Sequence, residues 1–198
     1  MKKLLLTTTF LAAMAGSVMA DAFDTLSFNT ELYVSDFRLS VNSTEGNGTE
    51  LGLAYHVWGL ENDWSFQQVT LELGHVLRTD EVRVTAEYGI AAPVNDTFAV
   101  YGTLALNALT KDAFSTTDFT TDVTAGVSAY ATDSIVAYLE VTSTHDLSGS
   151  FDRLGTVAEL GADVHLTDSL SLTPFVTYDI DAAKRDRVQG GLTLAVRF

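Results

Sequence analysis

From Asp24 to Phe198 apolar residues return at every second position, in runs separated by clusters of Asp, Asn, Gly, Ser and Thr. A period of two places successive side chains on opposite faces of a strand, so a chain patterned in this way folds as sheet with two chemically different faces. The first run is Leu26, Phe28, Leu32, Val34. Then come Leu51, Leu53, Tyr55, Val57; Val69, Leu71, Leu73; Val82, Val84, Ala86, Tyr88; and Phe98, Val100, Gly102, Leu104, Leu106. Further on are Val123, Ala125, Val127, Ala129; Ile135, Ala137, Leu139, Val141; and Ala158, Leu160, Ala162, Val164. Leu170, Leu172, Val176, Tyr178 and Leu192, Leu194, Val196, Phe198 complete the series. These segments predict ten strands, with eight as the alternative if the Thr79-Asp80 hairpin or the Phe37 to Val41 region is misread. No segment carries a 3.6-residue period, so no helix is expected beyond the N-terminal segment.

Residues 1–20 read as a secretory signal. Lys2 and Lys3 form a positive n-region, Leu4 to Ala15 an apolar h-region, and Val18-Met19-Ala20 a small-residue cleavage site. The apolar run falls short of the ~20 residues a spanning helix requires. Asp21 is therefore the expected mature N-terminus, and residues 21–198 form one domain. Removing Lys2 and Lys3 with the signal takes the net charge from −15 to −17. Such a polyanion repels phosphate backbones, which excludes nucleic acid as an expected partner. Cysteine is absent from the sequence, so disulfides, thiolate metal sites and a catalytic thiol are excluded.

The connections alternate in character. Asn95-Asp96-Thr97, Thr132-Asp133-Ser134 and Thr167-Asp168-Ser169 are tight and nearly repeated. Longer polar stretches lie around Asn42 to Thr49, Lys111 to Thr117, His145 to Arg153 and Ala182 to Arg187. Short turns at one end and longer loops at the other are the layout of a transmembrane barrel. The termini then lie at the short-turn end. Alternation alone admits two barrels: a soluble periplasmic one with the apolar set inside, and a membrane one with it outside.

The C-terminus separates them. Gly191-Leu192-Thr193-Leu194-Ala195-Val196-Arg197-Phe198 alternates up to a terminal aromatic, and the chain ends inside a strand. Here the sequence resembles the small outer-membrane β-barrel proteins of Gram-negative bacteria (porin-like, or OmpA-, OmpX- and OmpW-like). The resemblance implies a closed antiparallel transmembrane β-barrel that meets outer-membrane lipid and lipopolysaccharide. It also implies that Leu192, Leu194, Val196 and Phe198 form a signal read by the barrel-assembly machinery. Trp58, Trp64, Phe66, Tyr88, Phe98 and Phe198 are expected near the periplasmic ends, where aromatic rings favour the interface. Two irregularities are expected: a bulge near Ser35-Asp36, where the apolar phase flips to Phe37, Leu39 and Val41, and a bulge or break at Pro174, which lacks a ladder donor.

In this layout the lumen-lining set is Glu31, Glu72, Arg83, Glu87, Asp122, Glu140, Glu159, Asp163, Asp179 and Arg197, with His56 and His165 titratable. Eight acids against two permanent cations must be hydrated, protonated or matched by bound cations. A two-residue Thr79-Asp80 hairpin would set Glu72 opposite Glu87, as a coupled carboxylate pair. No enzyme is expected: His145-Asp146, with Ser143 and Ser148 nearby, matches no catalytic motif. Cofactors and metals are not expected either, since Asp118 to Asp122 lacks calcium-loop spacing. The expected function is a narrow passive channel favouring small cations or small polar solutes. The alternative is a plugged barrel with a structural, adhesive or envelope-integrity role through its loops. Inward Tyr101, Tyr130, Tyr138 and Phe175 favour plugging; inward Gly52, Gly74, Gly89, Gly126 and Gly161 favour space.

Overall fold

The computed structural model describes residues 37–44, 48–62, 65–77, 79, 81–111, 116–132, 134–167, 169–181 and 188–197. Ten antiparallel strands are found among them: β1 (Phe37–Thr44), β2 (Gly48–Asn62), β3 (Ser65–Val76), β4 (Glu81–Pro93) and β5 (Phe98–Lys111). The others are β6 (Thr116–Thr132), β7 (Ile135–Asp146), β8 (Arg153–Thr167), β9 (Leu170–Asp179) and β10 (Val188–Arg197). Each strand pairs with its sequence neighbours, and β1 pairs with both β2 and β10, so the sheet closes on itself. Closure leaves no strand edge to satisfy. Nine of the strands fall on expected segments. The tenth, β1, lies over Phe37 to Val41, where the apolar phase flips; the Leu26 to Val34 run, the Ser35-Asp36 bulge and the signal lie outside the described residues.

The two faces are assigned by burial. Leu104, Leu106 and Leu160 are half or more exposed on the outside, while Glu140 and Glu159 retain 1% and 2% of their surface on the inside. A water-soluble barrel has the reverse arrangement, and soluble monomers rarely expose so many Leu and Val side chains together; the exposed set runs from β3 to β10, while Leu51 on β2 is buried. The belt belongs in hydrocarbon. Leu192 and Leu194 of β10 continue it, and Leu194 and Val196 lie opposite Val41 and Leu39 of β1, so the C-terminal strand closes the barrel.

The tight turns explain the short end. In the β4–β5 turn the Asn95 side chain accepts hydrogen bonds from the Thr97 and Phe98 amides at 2.8 and 2.9 Å. Thr132 and Thr167 accept in the same way from the Ser134 and Ser169 amides, at 3.2 and 3.3 Å. Asn and Thr thus supply locally the acceptor that the turn's freed amides need. The opposite end is built from strand extension. β6 runs for 17 residues and β8 for 15, more than the ~9–11 that span a bilayer. Here Leu147 N donates to Phe119 O, and Phe151, at φ 59°, stacks its ring on His145 with centroids 4.9 Å apart.

Pro174 behaves as a donorless residue must. Between β8 and β9 the pairing runs to Gly161↔Phe175 and resumes at Val164↔Leu172, skipping Ala162 and Asp163, while the β10 side pairs continuously through Leu192↔Pro174. The ladder is broken on one side without a change of register. One aromatic departs from expectation: Phe66 points inward and is buried, whereas Tyr88 and Phe98 face outward. Its position on the inward phase of β3, opposite Ala91, decides this. Trp64 and Phe198 lie outside the described residues.

Candidate functional site: the inner face of the barrel

Hydrogen-bonded partners on successive strands form rows that cross the sheet perpendicular to the strands. One row reads Phe66, Ala91, Tyr101, Gly126, Glu140, Glu159 and Thr177 from β3 to β9. A neighbouring row reads Ala99, Ser128, Tyr138, Gly161, Phe175 and Gly191 from β5 to β10. In both, a large aromatic ring lies beside a glycine: Tyr101 by Gly126 in the first, Tyr138 and Phe175 by Gly161 and Gly191 in the second. The reason is steric: the rings of Tyr101, Tyr138 and Phe175 lie directly over Gly126, Gly161 and Gly191, where any Cβ would collide with them. Glycine admits the ring, and the ring covers backbone that glycine leaves bare.

These rings also hold carboxylates. The Tyr101 hydroxyl crosses Gly126 and donates to Glu140 Oε2 at 2.7 Å. The Tyr138 hydroxyl donates to Glu159 Oε1, also at 2.7 Å. Glu140 and Glu159 are themselves opposite one another on β7 and β8, with Cβ atoms expected ~4.5–5.5 Å apart. This pair of facing acids comes from a hairpin whose register the strand pattern did not assign.

The acid pair expected from the sequence is different and is corrected here. Glu72 does not face Glu87: it lies opposite Thr85, and Thr70 lies opposite Glu87. The connection is not a two-residue hairpin. Pairing stops at Val76↔Glu81, and the Leu77 amide turns away to donate to Thr49 O of β2. Glu72 and Glu87 are therefore diagonal neighbours, both buried on the inner face.

The other expected residues are distributed along the wall. Asp122 accepts from Asn107 Nδ2 and Thr144 Oγ1, and Asn107 Oδ1 accepts from Thr85, making one polar chain across β4 to β7. Asp163, at the Pro174 break, accepts from Thr173 at 3.0 Å and lies 3.4 Å from His165 Nε2. Asp179 sits at the loop end and accepts from the Asp181 amide. Arg83 is half-buried opposite Gly74, and Arg197 lies opposite Arg38 in register. Glu31 lies outside the described residues, and the His56 side chain is not described.

Threonines interleave with the acids on the inward phase, and three of them meet in a way the alternation does not specify. Thr103, Thr124 and Thr142 form a third row on the inner face, and Thr124 and Thr142 share a 2.7 Å hydrogen bond. Thr reads as an ordinary strand former; only its sharing a phase with the acids could have marked it. The Ser143–His145 contact, 3.1 Å between Oγ and Nε2, falls on the outward phase near the loop end. Among the described residues no group of three or more acidic or histidine side chains could hold a metal ion.

No family model matches this chain, and no curated protein matches it. Solved structures do. A NanC porin superposes with a TM-score of 0.53 at 7% identity, over 82% of this chain and 98% of its own. A KdgM porin gives 0.52 at 11% identity, over 83% and 98%. An outer-membrane channel from Pseudomonas putida F1 gives 0.52 at 8% identity, over 85% and 97%. With its apolar belt outside and its carboxylates inside, the chain has the fold of the small outer-membrane β-barrels.

Proposed function

We propose that this chain is exported by a signal cleaved after residue 20 and that residues 21–198 form a closed, ten-stranded channel in the bacterial outer membrane. It passes small cations or small polar solutes passively, and it is not an enzyme. The observation that carries this reading is the Glu140–Glu159 pair facing across β7 and β8 on the inner wall. With Glu72, Glu87 and Asp163 buried on the same face, the interior is strongly electronegative, which concentrates cations and turns anions away. Carboxylates this numerous are too costly to hold charged and unpaired in a dry interior, so protonation, hydrogen-bond donors, water or counter-ions must offset them. The similar structures carry channel names. One KdgM porin was solved in complex with disordered oligogalacturonate. That polyanion is a poor solute for an acidic lumen, so this chain serves a different charge class. Lipid and lipopolysaccharide surround the belt, and Leu192, Leu194, Val196 and Phe198 serve the assembly machinery.

A second reading, a plugged barrel acting in envelope integrity or adhesion through its loops, is favoured by one observation. Ala105 and Thr193 on the inner face have no exposed surface, as in a filled interior. Single-channel recording after refolding into a planar bilayer under a KCl gradient separates the two. Discrete steps with a cation-selective reversal potential support the channel. An inserted barrel without current supports the plug.

A further inference from the structure

We infer that Tyr101 and Tyr138 are the positioning residues of the channel's selectivity element, and that Gly126 and Gly161 are the seats that make the positioning possible. This rests on the channel reading above.

A glutamate side chain facing another glutamate across a ladder has three ways to lower its energy: take up a proton, swing away along the lumen, or find a donor that holds it. Both members of this pair have been given a donor, and each donor is built in the same way. The Tyr101 ring lies on Gly126, the residue between Tyr101 and Glu140 in their row, so its hydroxyl reaches over the whole of β6 to Glu140 Oε2. The Tyr138 ring lies on Gly161, and its hydroxyl reaches Glu159 Oε1 on the same strand, two residues along.

Two independent tyrosines from different strands thus converge on two facing carboxylates, each over a glycine that admits no side chain. Phe175 supplies the internal control. It repeats the ring-on-glycine packing over Gly191 but has no hydroxyl, and among the described residues no facing carboxylate pair accompanies it. Ring-on-glycine packing serves the wall in all three places; the hydroxyl is added where the acids are. The oxygens not held by tyrosine, Glu140 Oε1 and Glu159 Oε2, are buried as well, so the pair acts on a passing ion through the fixed position of its charge rather than by direct contact.

The test uses Tyr101→Phe, Tyr138→Phe and the double variant in the full chain, refolded beside wild type, because Phe keeps the ring on its seat. Folding is checked by circular dichroism and by heat-modifiable migration, and the reversal potential is read in a KCl gradient from acid to alkaline pH. The expected result is a fully folded double variant whose cation-over-anion permeability ratio falls by at least about threefold, the consequence of losing charge-assisted hydrogen bonds. Its pH profile changes shape as well, while Phe175→Tyr leaves both ratio and profile at wild-type values. Folded, conducting variants with wild-type ratio and pH profile overturn the inference and leave the channel standing. An inserted wild type that passes no current overturns the channel reading, and this inference with it.

Discussion

The β3–β4 and β7–β8 hairpins each bring one glutamate per strand to the inner face, yet only one of them makes a facing pair. In β7–β8 Glu140 lies opposite Glu159; in β3–β4 Glu72 and Glu87 are displaced by one step and each faces a threonine. The composition of the two hairpins does not explain this. Their connections do: in β3–β4 pairing ends at Val76↔Glu81 with Leu77 bonded to β2, whereas in β7–β8 a bulge at Thr144/His145 precedes the long connection. A displacement of two residues preserves which face a side chain occupies and changes which side chain it meets. Alternation is blind to such a shift.

Several substitutions probe this contrast. The most damaging one tests the phase on which it depends. Leu160→Arg places a charge on the outer face of β7–β8, beside Leu139 and Val176, and should cost ~2–4 kcal/mol in urea unfolding from lipid. Unchanged stability would reverse the faces of that hairpin and dissolve the facing pair. Gly161→Val drives a side chain into the Tyr138 ring and should cost ~1–3 kcal/mol by the same measurement. Gly155→Ala is the control: nothing lies within 4 Å of its Cβ position, and its effect should stay within about 0.5 kcal/mol.

The two acid pairs are compared directly by current. Glu140→Gln with Glu159→Gln should lower the cation-over-anion permeability ratio more than Glu72→Gln with Glu87→Gln; the reverse order would move the selectivity element to β3–β4. The smallest effects lie at the turn end. Asn95→Ala loses two side-chain acceptor bonds and should cost about 1 kcal/mol. Thr132→Ala, which loses one bond at 3.2 Å, should cost less; equal losses in unfolding experiments would show that the Asn95 bonds act singly.

Much of this barrel was legible in the order of its residues. Strict alternation predicted nine of the strands where they stand, because burying one face against lipid and the other against a polar interior requires period two at every position. The Asn95, Thr132 and Thr167 turns were legible because their hydrogen bonds are local. The ladder break at Pro174 was legible because a missing N–H cannot be compensated by tertiary context. The phase of the acids was legible for the same reason as the strands.

What the residues alone did not determine is which inner side chains meet. The Glu140–Glu159 pair and the threonine row depend on register, whereas the inward turn of Phe66 follows from the phase it shares with Gln68 and Glu72. Register is set by bulges and by bonds to other strands such as that from the Leu77 amide to Thr49 O of β2. The seating of Tyr101 on Gly126 and of Tyr138 on Gly161 depends on it most: in each case a ring and a glycine more than twenty positions apart in the chain are brought opposite each other only once the strands have paired. Composition and alternation determined a barrel with an acidic inside and an apolar outside. Long-range pairing decided which two of those acids share a site, because strand periodicity constrains the face of a side chain and leaves its partner to the register.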